Sequence, residues 1–307
     1  IYLVFATRFF PLKTFIPGYF SSVVKKNLGF ASRMASITIF ATVHMQVDKV
    51  IVSKLLPIGM LGYYSFAYTT ASKGGMVTSA ISQAVFPSFS AQFKNGDHNG
   101  LISQYRKIQD LLCFATAPMF AAIPFALLPM FSYVFTADIA ILLLVPTTLL
   151  CIGFYIGCTM SVPYAFSVAV GKPGITVRMN FYAMFVVLPA TTLLIYFFGL
   201  IGAGLSWIVY HIFTYLYGVP RICSECLGVS VWKWYLHILK IFILVTLTYG
   251  LAWAVNEFVG SHSILSLSTA YIMGSTAFFI SAYFMISDEL KRTLIGFFQM
   301  LRIRVFV

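Results

Sequence analysis

Charged side chains are scarce in this sequence, and the few that interrupt long apolar runs are where its chemistry would reside. Lys73 stands between uncharged runs of 18 and 20 residues. If residues 60–92 form one helix, its ammonium reaches neither interface. A cation at that depth costs about 2.5–3.5 kcal/mol even on insertion scales, so it asks for an anionic partner or a wet cavity. One reading makes Lys73 the lining of a central cavity that meets an anionic substrate, with Thr69 a turn before it and Gly74 and Gly75 allowing close approach. The other makes it a structural partner of Asp48, or a lysine that snorkels. Upstream, Arg33 and His44 lie eleven positions apart and Asp48 one turn further, a single polar stripe on a helix. The stripe is either a second cavity wall, with His44 and Asp48 exchanging protons, or a surface Arg33 with His44 and Asp48 as a satisfied pair; for Arg33 the surface position is preferred. Lys49, adjacent to Asp48, makes an ion pair the favoured role of that carboxylate. Arg178 reads as interfacial, and His211, alone in an apolar run, as a hydrogen-bonded packing residue.

Signatures of catalysis are thin. The chain has 8 Asp+Glu, mostly in expected loops, and no HExxH, GxSxG, P-loop or paired-acid cluster within a span. Cys223 and Cys226 form one CxxC, but zinc needs two further ligands and only His237 is nearby, so the spacing reads as chance. Of the 5 cysteines, Cys113, Cys151 and Cys158 lie in apolar runs where a thiol is a small hydrophobe, and no disulfide framework is expected. Gly153 and Gly157 make a GxxxG suited to helix packing. The expectation is a protein that is not an enzyme and carries no cofactor or metal.

The elements that must position these groups follow from composition. Of 307 residues 60% are apolar and 9% charged, which excludes a water-soluble domain. The net charge of +12 would suggest nucleic acid in a soluble protein; in a membrane protein it reflects loops held on the cytoplasmic side. No nucleic-acid partner is expected. Charges punctuate about eight apolar spans: 27–50, 60–92, 110–135, 139–171, two between Arg178 and Arg221, then 234–256 and 262–286. The three prolines Pro118, Pro124 and Pro129 predict a kinked third span. The glycine-rich stretch 198–204 predicts a hinge between the fifth and sixth. Alternating sides puts the connections holding Lys13, Lys25 and Lys26; Lys94, Arg106 and Lys107; Lys172 and Arg178; Arg221 and Lys233; and Lys291, Arg292, Arg302 and Arg304 on one face, which the positive-inside rule makes cytoplasmic together with both ends. Residues 1–26 read as the end of a preceding transmembrane helix and a cytoplasmic connection, so the expectation is that further spans precede them. Residues 288–307 read as a cytoplasmic amphipathic tail, with Leu290, Leu294, Phe297, Phe298 and Leu301 opposite Lys291, Arg292 and Arg302.

The stretch QVDKVIVSKLLPIGMLGYYSFAYT (46–69), followed by AVFPSFS (84–90), VGKP (170–173) and FGLIGAGLSWIV (198–209), resembles the polysaccharide transporter family. These are the O-antigen, or lipid-linked oligosaccharide, flippases of the MOP exporter superfamily. The most specific piece is Asp48-Lys49 leading into Leu61-Gly62-Tyr63-Tyr64, with Phe86-Pro87 closing the next helix. The resemblance implies an all-α polytopic fold in which residues 27–228 are the second six-helix lobe and 229–287 an appended helix pair, in a bacterial inner membrane. It implies alternating-access flipping of an undecaprenyl-pyrophosphate-linked repeat unit. Lys73, Arg33 and Arg178 would meet the pyrophosphate, Thr69, Gln83 and Tyr68 would line the sugar space, and the appended pair, with Trp253 and Tyr271, would form a lipid groove. Asp48, His44 and Lys49 would serve ion pairing or proton coupling. The expected partners are the lipid-linked oligosaccharide, membrane lipids and other glycan-assembly membrane proteins, and a lone lobe is expected to be inactive. A MATE-like multidrug exporter shares the fold but would favour acidic groups in the cavity. A membrane-embedded glycan polymerase or ligase would need a large outer loop, and the expected outer loops are short.

Overall fold

The computed structural model describes residues 21–260, 263–293 and 295, apart from the side chains of residues 23 and 26. No strand occurs among the described residues. A chain this apolar has no water to satisfy its backbone inside a membrane, and helices close their own hydrogen bonds. In chain order the helices are α1 (Ser21–Leu55), α2 (Ile58–Ser72), α3 (Gly75–Lys94), α4 (His98–Val134), α5 (Ala137–Thr159), α6 (Ser161–Ala169), α7 (Gly174–Ile222), α8 (Val231–Val245), α9 (Leu251–Val259) and α10 (Ile264–Met285). π-Helical turns at Cys223–Leu227 and Thr246–Gly250 follow α7 and join α8 to α9. The protein is an all-α polytopic membrane protein. Among the described residues six helical runs are long and apolar enough to cross a bilayer, one of them Gly174–Leu227, whose 54 residues exceed any single crossing.

That long run doubles back. Gly199 has φ 58 and ψ −131, a backbone region closed to residues with a side chain, and a Cβ on Gly202 would sit 1.9 Å from the Leu194 carbonyl oxygen. The glycine-rich stretch is therefore the tight return between two arms of α7, as its composition predicts. The expected second span departs from expectation. Its regular hydrogen bonding is interrupted at Lys73–Gly74, which separates α2 from α3, although both residues keep right-handed helical φ and ψ, so the interruption is a tightened turn and not an unwound segment. Taking the two arms of α7 separately, the six runs give seven candidate crossings against the eight read from the sequence; neither α2 nor α3 is by itself among the runs long and apolar enough. The fourth span is likewise two pieces, α5 and α6, broken at Met160. Pro163 has no N–H to offer the Thr159 carbonyl, and Gln109 of α4 supplies the missing donor at 2.8 Å. The three prolines of the third span all lie within one uninterrupted α4.

Helix α5 is the central element, packed against α7, α4 and α2, while α1 lies on α7 and α2, and α3 on α6 and α4. The GxxxG of α5 meets the second arm of α7: a Cβ on Gly153 would lie 2.9 Å from Cβ of Trp207, and one on Gly157 2.4 Å from the His211 ring. Close approach of two backbones there replaces the side-chain burial that lipid cannot drive. The helices after residue 228 dock through α10 and α8 onto α4, and one continuous buried cluster runs from Val52 to Leu290. Outside it, large apolar side chains such as Phe185, Phe197 and Phe284 are exposed, as a lipid-facing surface requires. Beyond Ile295 the expected amphipathic tail lies outside the described residues, as do most of residues 1–26; within the described part Leu290 is buried.

Candidate functional site

Asp48 is the most deeply buried charge of the expected set, 2% exposed in the last third of α1. Its spacing with Ile37, His44 and Val52 makes a buried stripe that faces α7 and α2. Oδ2 accepts from the Tyr64 hydroxyl at 2.5 Å and from Trp207 Nε1 at 2.9 Å, and Oδ1 accepts from the Lys49 backbone N–H at 2.8 Å. Three neutral donors from α1, α2 and the second arm of α7 thus hold one carboxylate. Lys49 does not complete an ion pair with it. Its Nζ donates to the Met45 carbonyl at 2.8 Å and stands 3.6 Å over the Tyr68 ring. His44 turns to α7 as well, its Nε2 3.3 Å from the Asn180 carbonyl and its ring 4.7 Å from that of Tyr210. His44 and Asp48 therefore share a stripe without pairing with each other. Between them and α7 lies a cavity of about 10 Å³, at the lower limit for a single water.

The remaining expected residues lie elsewhere on the surface. Arg33 is exposed on the first turns of α1, Lys73 is exposed at the α2–α3 break, and Thr69, Gln83 and Arg178 are exposed on α2, α3 and α7. None of Arg33, Lys73 and Arg178 forms an ion pair among the described residues. Lys73 and Asp48 do not meet. Gly74 performs one of the duties expected of the Gly74-Gly75 pair: a Cβ there would lie 2.6 Å from the Phe120 ring, so α4 comes close, while Gly75 faces open space. Tyr68 is buried between Phe154 and Trp207 rather than free to line a sugar space.

One feature was not foreseen. Asp110, expected only as the boundary of the third span, is 2% exposed; its Oδ1 lies 2.7 Å from His237 Nε2 and its Oδ2 accepts from the Ser287 backbone N–H at 2.8 Å. One carboxylate thereby ties α4 to α8 and to the end of α10. The available signal was the same that singled out Asp48, an acid flush against a long apolar run. Beside the appended helices, where the resemblance implies a lipid groove, is an apolar cavity of about 430 Å³ between α4, α5 and the α8–α9 junction, lined by Phe120, Phe125, Leu149, Tyr155, Tyr249 and Trp253. Tyr271 stacks on Tyr249 behind it, ring centroids 5.9 Å apart. No cluster of three metal-ligating side chains occurs among the described residues.

Residues 3–139 match the family model described as "Polysaccharide biosynthesis protein". That agrees with the resemblance to polysaccharide transporters carried by the Asp48-Lys49 and Gly62-Tyr63-Tyr64 pieces, and it supports a role in polysaccharide biosynthesis or transport. The matched stretch contains Asp48, Tyr64 and Lys73; Trp207, the third anchor of the carboxylate, lies beyond it. No match was found among curated proteins or among solved structures.

Proposed function

We propose that the chain forms a lobe of a transporter that moves a lipid-linked oligosaccharide across the cytoplasmic membrane of a bacterium by alternating access. The observation that carries this is the interruption of residues 58–94 at Lys73–Gly74 within a chain similar to polysaccharide biosynthesis proteins. The break puts an exposed, unpaired ammonium beside the start of α3, ~22 Å of helix rise from the start of α2 and ~30 Å from the end of α3. Interruptions of a membrane helix often lie near substrate sites in transporters, and an exposed ammonium at this one favours an anionic group such as a pyrophosphate. Exporters of cations would need an acid presented to the cavity, whereas Asp48 and Asp110 are both buried against donors.

A lone lobe offers one wall of a cavity, so transport on this reading requires an opposing lobe. The test is surface display of glycan in cells that depend on the protein. Lys73→Ala should abolish display while leaving the protein inserted at a near-normal level, and Lys73→Arg should retain part of it, since charge survives although shape does not. Normal display by Lys73→Ala would overturn the reading, and loss of the inserted protein would make Lys73 structural.

A further inference from the structure

A second cavity, of about 340 Å³, lies beside the Asp110 anchor, between the start of α4, the start of α8 and the end of α10. It is separate from the Lys73 break and from the apolar cavity. Its lining joins two exposed cations, Arg106 and Lys233, to apolar walls from Ile102, Trp234 and Met285. Neither cation has an ion-pair partner among the described residues. The one acid in the lining is unavailable to oppose a ligand's charge, because Asp110 is buried with both oxygens occupied by His237 and the Ser287 backbone N–H. Two polar atoms of lining residues, Ser287 Oγ and Gln109 Oε1, are buried with no hydrogen-bond partner. A hydroxyl donor and an amide acceptor without partners are costly to bury, and a ligand bearing both an anionic oxygen and a hydroxyl or ammonium would satisfy them. The volume is within the range of small-ligand sites, about 300–1,000 Å³.

The position of the cavity selects the kind of ligand. It opens where α4 and α8 begin and α10 ends, on the face that carries the excess of Lys and Arg, and Trp232 beside it is 75% exposed, as an indole at a membrane interface is. The apolar cavity is lined by the same α4 and by the continuation of α8. From Gln109, in the polar cavity, to Ala117, in the apolar one, is ~12 Å of helix rise. A polar cavity at headgroup level and an apolar one deeper along the same two elements fit one molecule with a charged head and a hydrocarbon chain. We propose that this cavity is a binding site for the phosphate headgroup of an anionic membrane lipid, held by Arg106, Lys233 and Ser287, with its chain rising along α4. Basic pockets between helices on the positive side of a membrane protein recognise headgroups in this way.

The full chain, purified in a neutral detergent, would be titrated with dihexanoyl phosphatidylglycerol, dihexanoyl phosphatidylcholine or inorganic phosphate, and retained molecules counted by native mass spectrometry. The proposal expects phosphatidylglycerol to bind at least tenfold more tightly than either of the others. It expects Arg106→Gln combined with Lys233→Gln to abolish that preference with the helical circular dichroism unchanged, and Lys54→Gln with Lys94→Gln, on exposed cations elsewhere, to leave it intact. Ile102→Trp, which fills the cavity without altering charge, should also expel the lipid. Equal binding of phosphatidylcholine overturns the headgroup charge reading. Inorganic phosphate binding as tightly as the lipid makes this a soluble-anion site and overturns the lipid. Equal loss from the Lys54 and Lys94 pair shows diffuse surface attraction and overturns the site.

Discussion

The carboxylate of Asp48 offers a sharp test, because two accounts of the same residue assign its neutralisation to different side chains. If the hydrogen bonds seen here hold it, Tyr64→Phe removes one of three donors and nothing else, since the ring and its packing remain. Bonds to charged groups contribute about 1.5–3 kcal/mol in soluble proteins, and coupling measured inside membranes averages about 0.6 with a maximum near 1.7. A hydroxyl donating to a buried carboxylate falls between these ranges, so Tyr64→Phe should cost about 1–2 kcal/mol, roughly 5- to 30-fold in the unfolding constant. Lys49→Met keeps the aliphatic stem and loses the contact over Tyr68, worth about 0.5–1 kcal/mol at a partly exposed site. The ordering is the test. Reversible unfolding in mixed micelles, followed by tryptophan emission, should rank Tyr64→Phe as more damaging than Lys49→Met. Asp48→Leu, which leaves the Tyr64 and Trp207 donors buried and unpaired, should be worse than either, at about 2–6 kcal/mol. Were Lys49→Met the more costly, or were it to rescue Asp48→Asn, the carboxylate would be neutralised by the lysine and the hydrogen-bond account refuted.

Gly202→Val should strongly reduce the amount of folded protein, since its Cβ meets the Leu194 carbonyl and overpacking costs about 1–3 kcal/mol or more; fluorescence-detected size exclusion of a tagged chain reports it. Gly199→Ala should cost about 1–3 kcal/mol by the same assay, because its backbone conformation is closed to alanine. Asp110→Leu orphans the Ser287 N–H and the His237 ring, and hydrogen exchange at residues 285–290 should accelerate at least tenfold while exchange in α5 is unchanged. The five native cysteines are free and buried or half-buried, so added ones stand out: an impermeant maleimide applied outside cells should label Asp138→Cys and Phe258→Cys but not Asp97→Cys or Ser230→Cys. Labelling at 97 would invert the orientation.

Features set by residues near one another in the chain were legible before the fold was seen. The return at 198–204 follows from three glycines in seven residues, and the packing face of α5 from Gly153 and Gly157, because both depend on where a Cβ is missing. The broken second crossing was half legible. Two glycines after Lys73 signal close approach, which Gly74 provides against Phe120, but not the tightened turn that separates α2 from α3. What the sequence withholds is pairing across distance. Asp48 is visible as a costly charge, yet Trp207 is 159 positions away and its indole N–H cannot be told from any other tryptophan's. Lys49, adjacent and opposite in charge, is the natural guess, but consecutive helical residues point about 100° apart, and the long lysine side chain turns outward. The same distance, 127 positions, hid the bond from Asp110 to His237.

These two carboxylates bear on what the protein can recognise. Of 8 acidic residues against 20 basic ones, two are buried within the helical bundle, and each is satisfied by hydrogen-bond donors that themselves join separate elements. Asp48 fastens α1, α2 and the second arm of α7, and Asp110 fastens α4, α8 and the end of α10. Acids used as fasteners no longer cancel the field of nearby cations. Arg33, Lys73, Arg106 and Lys233 are left exposed with no ion-pair partner among the described residues, and in a low-dielectric surrounding an uncompensated cation acts over a longer range than in water. Had these acids instead faced Lys73 or Arg106, the same composition would have produced internal ion pairs and no site for an anion. On the proposed reading, preference for a phosphate-bearing ligand follows from where the acids are placed as much as from where the bases are.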